Sequence, residues 1–453
     1  MKNSIFLLII ATCMVACIDT EIVSMDEPVH QVVLGDKVYS KHVTLEEARE
    51  ELEAFLGGES SSISKRGNEL SSKRISDGFV LNLGCKSISK SNAEDSSAKI
   101  YVFNFEDDGG FALMSSSRET PPIFAITEEG NLDTTIEIDN PGFAIFMANL
   151  ETKLLNGELN YDADTLYQDT TTTLSKQYTP SKTIKWSVFS PYRENIYKHA
   201  NGLCPYWHQE SPFNAKCDSA GTPAYVGCTA VACGLLMALY RHPASYKDTV
   251  LHWGNMLSDD NSADIAWLLK KIGDKENLDM DYGAVDSTRG SSAYPSDIPK
   301  TLDNFGFSHG GRFVQYTTEA VCEELKNGYP ILLSGHAWLV DSIKNGNHNL
   351  SYQKGHTWIG QGLMVRSRDE YRYEGEREYT QFKGMTTHTD RYVLCNMGWG
   401  NVWYKKYNGY YLSGVFDTNA GASFSEHYSK SVIVNGTRYY YKYNLHSVIG
   451  IRK

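Results

Sequence analysis

Tyr225-Val226-Gly227-Cys228-Thr229-Ala230-Val231-Ala232-Cys233-Gly234-Leu235-Leu236-Met237-Ala238-Leu239-Tyr240 places a cysteine, preceded by a glycine, at the first turn of a small and apolar helix. Amide groups without intrahelical partners and the positive end of the helix dipole favour an anion there, and the thiolate is the nucleophilic form of sulfur. A buried structural cysteine is the alternative for this segment, since free cysteine is among the most buried residue types. The rest of the chain has to discriminate between them.

Upstream, Met1-Lys2 supplies a short positive region and Ser4 to Ala16 an apolar stretch too brief for a membrane span. It ends in Met14-Val15-Ala16-Cys17, so residues 1–17 read as an export signal of lipoprotein type in which Cys17 carries the lipid; an ordinary signal peptide cut near Ala16 is the alternative. The expected location is the bacterial cell envelope or surface, with the lipid on Cys17 as the only membrane attachment. The chain has 453 residues, enough for two or three domains. The formal charge is −12 and no basic stripe exists to neutralise phosphates, which argues against a nucleic-acid partner.

Two compositional breaks divide the sequence, the Gly/Ser/Lys-rich run Gly57 to Lys73 and the stretch Gln168 to Lys182 with its four consecutive threonines. Between and before them, Thr44-Leu45-Glu46-Glu47 is a capping box that opens a helix to about Phe55, closed by Gly57-Gly58. Ile100 to Phe105 and Gly110 to Met114 read as a strand pair across Asp107-Asp108-Gly109, Ile123 to Ile126 as another strand, and Phe143 to Leu155 as a helix. This small α+β unit carries no cluster of catalytic type.

After Lys182 come Gln209 with Pro212-Phe213-Asn214, then Met280-Asp281-Tyr282-Gly283 leading into Ser287-Thr288-Arg289-Gly290, a short strand Pro330 to Gly335, Gly355-His356-Thr357-Trp358, and Asn396-Met397-Gly398-Trp399-Gly400. Together with Cys228, Ala230, Ala232, Met237 and Pro243, the Gln209, Met280–Gly283, Gly355–Trp358 and Asn396–Gly400 motifs resemble the streptopain family of bacterial papain-like cysteine peptidases. The resemblance covers most of residues 200 to 415, and Tyr101 to Gly130 is similar to the family's inhibitory pro-domain. It implies an α+β fold in which a helical part bears the cysteine and an antiparallel β part bears histidine and asparagine. It also implies a pro-domain over 18–168 acting as intramolecular inhibitor, an activation linker over 169–182 and a catalytic domain over 183–453.

Amide hydrolysis needs a thiolate to attack the carbonyl, an imidazole to hold the thiolate and then protonate the leaving amine, and donors for the oxyanion. Cys228 and His356 take the first two roles, and the resemblance implies Gln209, otherwise read as an ordinary surface glutamine, as the candidate oxyanion donor. Asn396 is the candidate to orient His356, or else simply forms a turn before Gly398, and Trp399 would shield the pair. Thr288 and Gly355 are candidate substrate contacts. His336 in Gly335-His336-Ala337-Trp338 competes with His356, but the resemblance implies a Pro-led strand, a turn and then the histidine strand, and only His356 follows a reversal, at Lys344-Asn345-Gly346-Asn347. The sequence departs from streptopain at Met397, at Gln361 and in a charged insert around Arg366 to Arg377.

Cys228 and Cys233 lie five apart on one helix and no cluster has zinc-site spacing, so no metal or other cofactor is expected. A Cys204–Cys217 bridge is open to an exported protein. The reading is a zymogen of a cysteine endopeptidase acting on proteins or peptides. An amide hydrolase or acyltransferase using the same residues, and a non-catalytic surface lipoprotein, remain as alternatives.

Overall fold

The computed structural model describes residues 41–57, 69–83, 98–133, 140–160, 184–258, 262–285, 290–344, 347–376, 379–398, 406–417, 431–434, 437–440 and 445–453. All the described residues lie in one compact unit, Ser40–Lys453. The expected export signal, residues 1–17, and the expected linker, residues 169–182, fall outside them. No helix of the described residues is long and apolar enough to cross a membrane.

The amino-terminal elements form where their local chemistry dictates. Helix α1 (Leu45–Leu56) starts at the Thr44 capping box, whose reciprocal bonds with Glu47 are both made, and buries Ala48, Leu52, Phe55 and Leu56 along one side. Strands β1 (Ile75–Leu83), β2 (Ala98–Phe105), β3 (Phe111–Ser115) and β4 (Ile123–Thr127) follow, then α2 (Pro141–Asn156). Asn140 caps α2 on the Phe143 amide, Pro141 stands in its first turn and Gly157, at φ 68°, ends it in the left-handed region. The sequence pattern misses β1, because this outer strand is interrupted by Asp77-Gly78, shifts register between Ile75 and Asp77, and is buried only in part.

After β5 (Ile184–Phe189) and β6 (Arg193–Lys198), the helical part comprises α3 (Cys228–Tyr240), α4 (Trp253–Leu257), α5 (Ser262–Ile272) and α6 (Ile298–Asn304). Strand β7 (His309–Gln315) and α7 (Thr318–Lys326) lead into a long hairpin of β8 (Ile331–Lys344), β9 (Asn347–Glu376) and β10 (Tyr379–Asn396). Then come β11 (Gly409–Leu412), β12 (Ser431–Val434), β13 (Thr437–Tyr440) and β14 (His446–Arg452). The short strand expected at Pro330 to Gly335 continues to Lys344 and reverses into β9 at the turn that the sequence marks. The charged insert is the outer half of β9 and β10, held on its second edge by β6 and β5.

All pairings between these strands are antiparallel, in the sheet order β1-β2-β3-β4-β11-β10-β9-β8-β13-β12, with β14 joining β8 to β7. The amino-terminal strands are thus not a separate sheet, because β4 pairs with β11 at Thr127–Gly409 and Ile126–Tyr410. One apolar core runs from Phe55, Phe103 and Phe143 to Trp358, Tyr392 and Tyr411. A second surrounds α3 and takes in Trp207, Leu269, Ile298 and Ile451. Cys228 and His356 come from the elements that face each other across the junction of these cores. The six described cysteines are all free thiols, so Cys204 and Cys217 do not bridge.

Candidate active site

Gly227 sets the direction in which α3 departs. Its φ is 92°, in the region that favours glycine, and a Cβ there would lie 2.9 Å from the end of the Met280 side chain, which would have to shift. The segment before it is pinned from two directions. The Val226 amide donates to the Gln209 carbonyl at 3.0 Å, and the Ser291 hydroxyl donates to the Tyr225 carbonyl at 2.6 Å while accepting from the Gly283 amide at 3.0 Å. Gln209, buried, is therefore tied by its backbone two residues ahead of Cys228. Thr288 lies outside the described residues.

His356 stands on β9 opposite Gly335 of β8, a position without a side chain. Its ring is buried, stacks almost parallel to Trp358 at 6.0 Å, and reaches the Met397 carbonyl through Nε2 at 2.7 Å. A carbonyl only accepts, so Nε2 carries the proton in this arrangement, and the His356 and Cys228 side chains are hydrogen-bonded. The Thr229 and Thr357 hydroxyls, 3.2 Å apart, join the first turn of α3 to the next residue of the histidine strand.

The Cys228 thiol lies below its ordinary value. Burial is the largest influence and pushes it up. The charge of His356 and hydrogen bonds with the His356 side chain, the Thr357 backbone and the Thr229 hydroxyl together overcome it. Cys233, Cys204 and Cys395, buried with weaker compensation or none, are pushed upward instead. Among these thiols, Cys228 has the environment of a nucleophile.

The orienting group differs from the one expected. The Asn396 amide nitrogen donates to the Pro205 carbonyl at 3.2 Å and lies 3.5 Å from Cys204 Sγ, and its oxygen accepts from the Gly398 amide at 3.0 Å. Asn396 shapes the turn into Gly398, and the acceptor at His356 Nε2 is the peptide of the next residue. The Met397 carbonyl and the Gly398 amide belong to one peptide, so Asn396 Oδ1 holds it from the N–H side, while Asn408 holds the preceding peptide by accepting from the Met397 amide at 2.8 Å. A main-chain acceptor has no residue signature, and Asn408 offered only the turn-like pair Asn408-Gly409. Trp399 lies outside the described residues; the indole stacked on His356 is Trp358.

Gln361, where the sequence departs from streptopain, occupies the bulge between Gly360 and Gly362 and accepts from the Cys204 amide at 2.8 Å. It seats the segment that leads to Gln209. His336 pairs with Gly355, so its side chain leaves the sheet on the face opposite to that of His356. A Cβ on Gly355 would lie 2.8 Å from the His336 ring, so the glycine gives that ring its room. Burial is the main influence lowering the pKa of His336, with the charge of His446 second.

The amino-terminal unit reaches this site directly. A Cβ on Gly142, in the first turn of α2, would lie 2.7 Å from Met397 Sδ and 3.0 Å from His356 Cδ2. Phe143 stacks on Tyr407 at 4.7 Å and Phe146 meets Tyr411 edge-on at 4.8 Å, so aromatic packing holds α2 against β11 and the residues leading into it.

Comparison with known proteins bears on this arrangement. Residues 207–411 match the Peptidase C10 family and residues 40–154 match the Spi protease inhibitor family. A fragment of Prevotella intermedia prointerpain A is 17% identical with a TM-score of 0.47, covering 83% of this chain and 99% of that one. Active wild-type interpain A cysteine protease from the same organism is 18% identical with a TM-score of 0.34, covering 56% and 97% respectively. No curated protein matches.

Proposed function

Because the chain belongs, through residues 207–411, to the Peptidase C10 family and is a cysteine peptidase made as a zymogen behind a Spi-type inhibitor unit, we propose that Cys228 is its nucleophile and His356 its acid/base. The observation that carries this reading is the lowered Cys228 thiol beside an imidazole whose other nitrogen is held by Met397. The thiolate adds to the scissile carbonyl, the imidazolium gives its proton to the departing amine, and water then releases the acyl group with His356 as base. The backbone amide of Cys228, at the helix start, and the side chain of Gln209 are the oxyanion donors in this scheme.

The latency reading is supported by the seat of Gly142, in the first turn of α2, against His356 Cδ2 and Met397 Sδ. A biotinylated peptidyl chloromethyl ketone is expected to label Cys228 rapidly in the processed enzyme and slowly in the uncut chain. Gly142→Leu forces α2 away from His356 and is expected to raise labelling of the uncut chain by at least about tenfold. Equal labelling of uncut and processed wild-type protein would remove the inhibitory reading.

The export reading rests on residues 1–17 and extends the same proposal to the cell envelope, with lipid on Cys17. Cys17→Ala is expected to move the precursor out of the membrane fraction. Unchanged membrane association of that variant would rule out the anchor.

A further inference from the structure

The charged insert in β9 meets α1 of the amino-terminal unit through two arginines. Arg366 is fully buried, with Nε 2.6 Å from Glu194 Oε2, one amino group donating to the Phe55 carbonyl and the guanidinium 3.7 Å above the Phe55 ring. Arg368 pairs with Glu51 at 2.7 Å and lies over the rings of Phe189 and Tyr192 at 4.2 and 4.6 Å. The Tyr192 hydroxyl donates to the same Glu51 carboxylate, and the Tyr192 and Phe55 rings meet edge-on at 5.3 Å.

These contacts complete a helix end that its own sequence leaves unfinished. The last turn of α1 carries no basic residue, so its negative dipole end has no cation from its own side chains. Arg366 supplies one from the catalytic side and takes the Phe55 carbonyl at the same time. Glu51 and Phe55 lie four residues apart, on one face of the helix, and each faces one arginine.

We propose that Arg366, Arg368 and Tyr192 form the anchor that holds the inhibitory unit on the catalytic domain, gripping the carboxylate and aromatic ring at the end of α1, and that release of this grip precedes exposure of His356. The anchor is separate from the catalytic contact at Gly142, and it rests on the latency reading above. Burial makes the Glu51–Arg368 pair worth more than a solvent-exposed one, whose effect would be close to nothing. Once the unit has left, the surface fits another helix end with a carboxylate four residues before an aromatic ring.

The test is a double-mutant cycle in the full uncut chain, read as the rate at which a biotinylated peptidyl chloromethyl ketone labels Cys228. Glu51→Gln and Arg368→Gln are each expected to speed labelling about tenfold, and the double variant no more than either alone. Processed Arg368→Gln enzyme should turn over substrate as wild type does, since the Arg368 contacts described above are with Glu51, Phe189 and Tyr192 and not with Cys228 or His356. Unchanged labelling by the single variants, or a double effect near the product of the two, roughly a hundredfold, overturns the anchor while slow labelling of the wild-type precursor keeps the latency reading intact. A wild-type precursor that labels as fast as the processed enzyme overturns both.

Discussion

Cys228→Ser is expected to lower peptide hydrolysis by roughly four orders of magnitude or more while the chain keeps its fold. Oxygen nearly matches sulfur in size, so the packing around α3 survives. The hydroxyl, however, is far harder to ionise, and the charge and hydrogen bonds of His356, Thr357 and Thr229 that bring the thiol below its ordinary value do not bring an alcohol into range. Cys233→Ser is the matched control. Cys233 is fully buried one and a half turns further along the same helix, so its replacement puts a hydroxyl into an apolar core, at a cost of about 1–3 kcal/mol in stability, without touching the site. Turnover of casein by both purified, processed variants decides the matter, and near-normal activity of the Cys228 variant would end the mechanism.

His356→Ala is expected to cost about two to four orders of magnitude in turnover, the usual worth of a positioned acid/base group. His336→Ala should instead change stability or binding, because its ring leaves the sheet on the other face and packs over Gly355. A second readout separates the acid/base role from simple misfolding. In wild type the thiol is held below its ordinary value, so alkylation of Cys228 by iodoacetamide should reach half its limiting rate at a pH below about 8.5, the ordinary thiol value. Removing the imidazole leaves burial as the dominant influence, and burial raises a thiol, so the midpoint should move above that value in His356→Ala and stay in place in His336→Ala. The opposite pattern would transfer the role to His336.

The pairing of β4 with β11 shapes how the precursor opens. The inhibitory unit is joined to the catalytic sheet by backbone hydrogen bonds, to the histidine strand by α2 and to the β9 insert by α1. Cutting the chain after residue 160 breaks none of these contacts, so cleavage and release are physically distinct steps.

Much of the molecule is legible in the linear order of residues because its signals are local. The cysteine at a glycine-led helix start, the Thr44 capping box, the strand pair around Asp107-Asp108-Gly109 and the reversal between Lys344 and Asn347 each depend on neighbours a few residues away, and each stands in the structure as the sequence implies. Tertiary structure alone decided the rest. The acceptor behind His356 is the Met397 carbonyl, a group every residue possesses, and Asn396 reaches the histidine only through that peptide, whose Gly398 amide its side chain accepts from. The opposed faces of His336 and His356 follow from a register in which side chains alternate, which no count of intervening residues reveals. The insert, read as a mere charged addition, acquires its meaning only because folding brings Arg366 and Arg368 to Phe55 and Glu51, more than three hundred residues earlier in the chain.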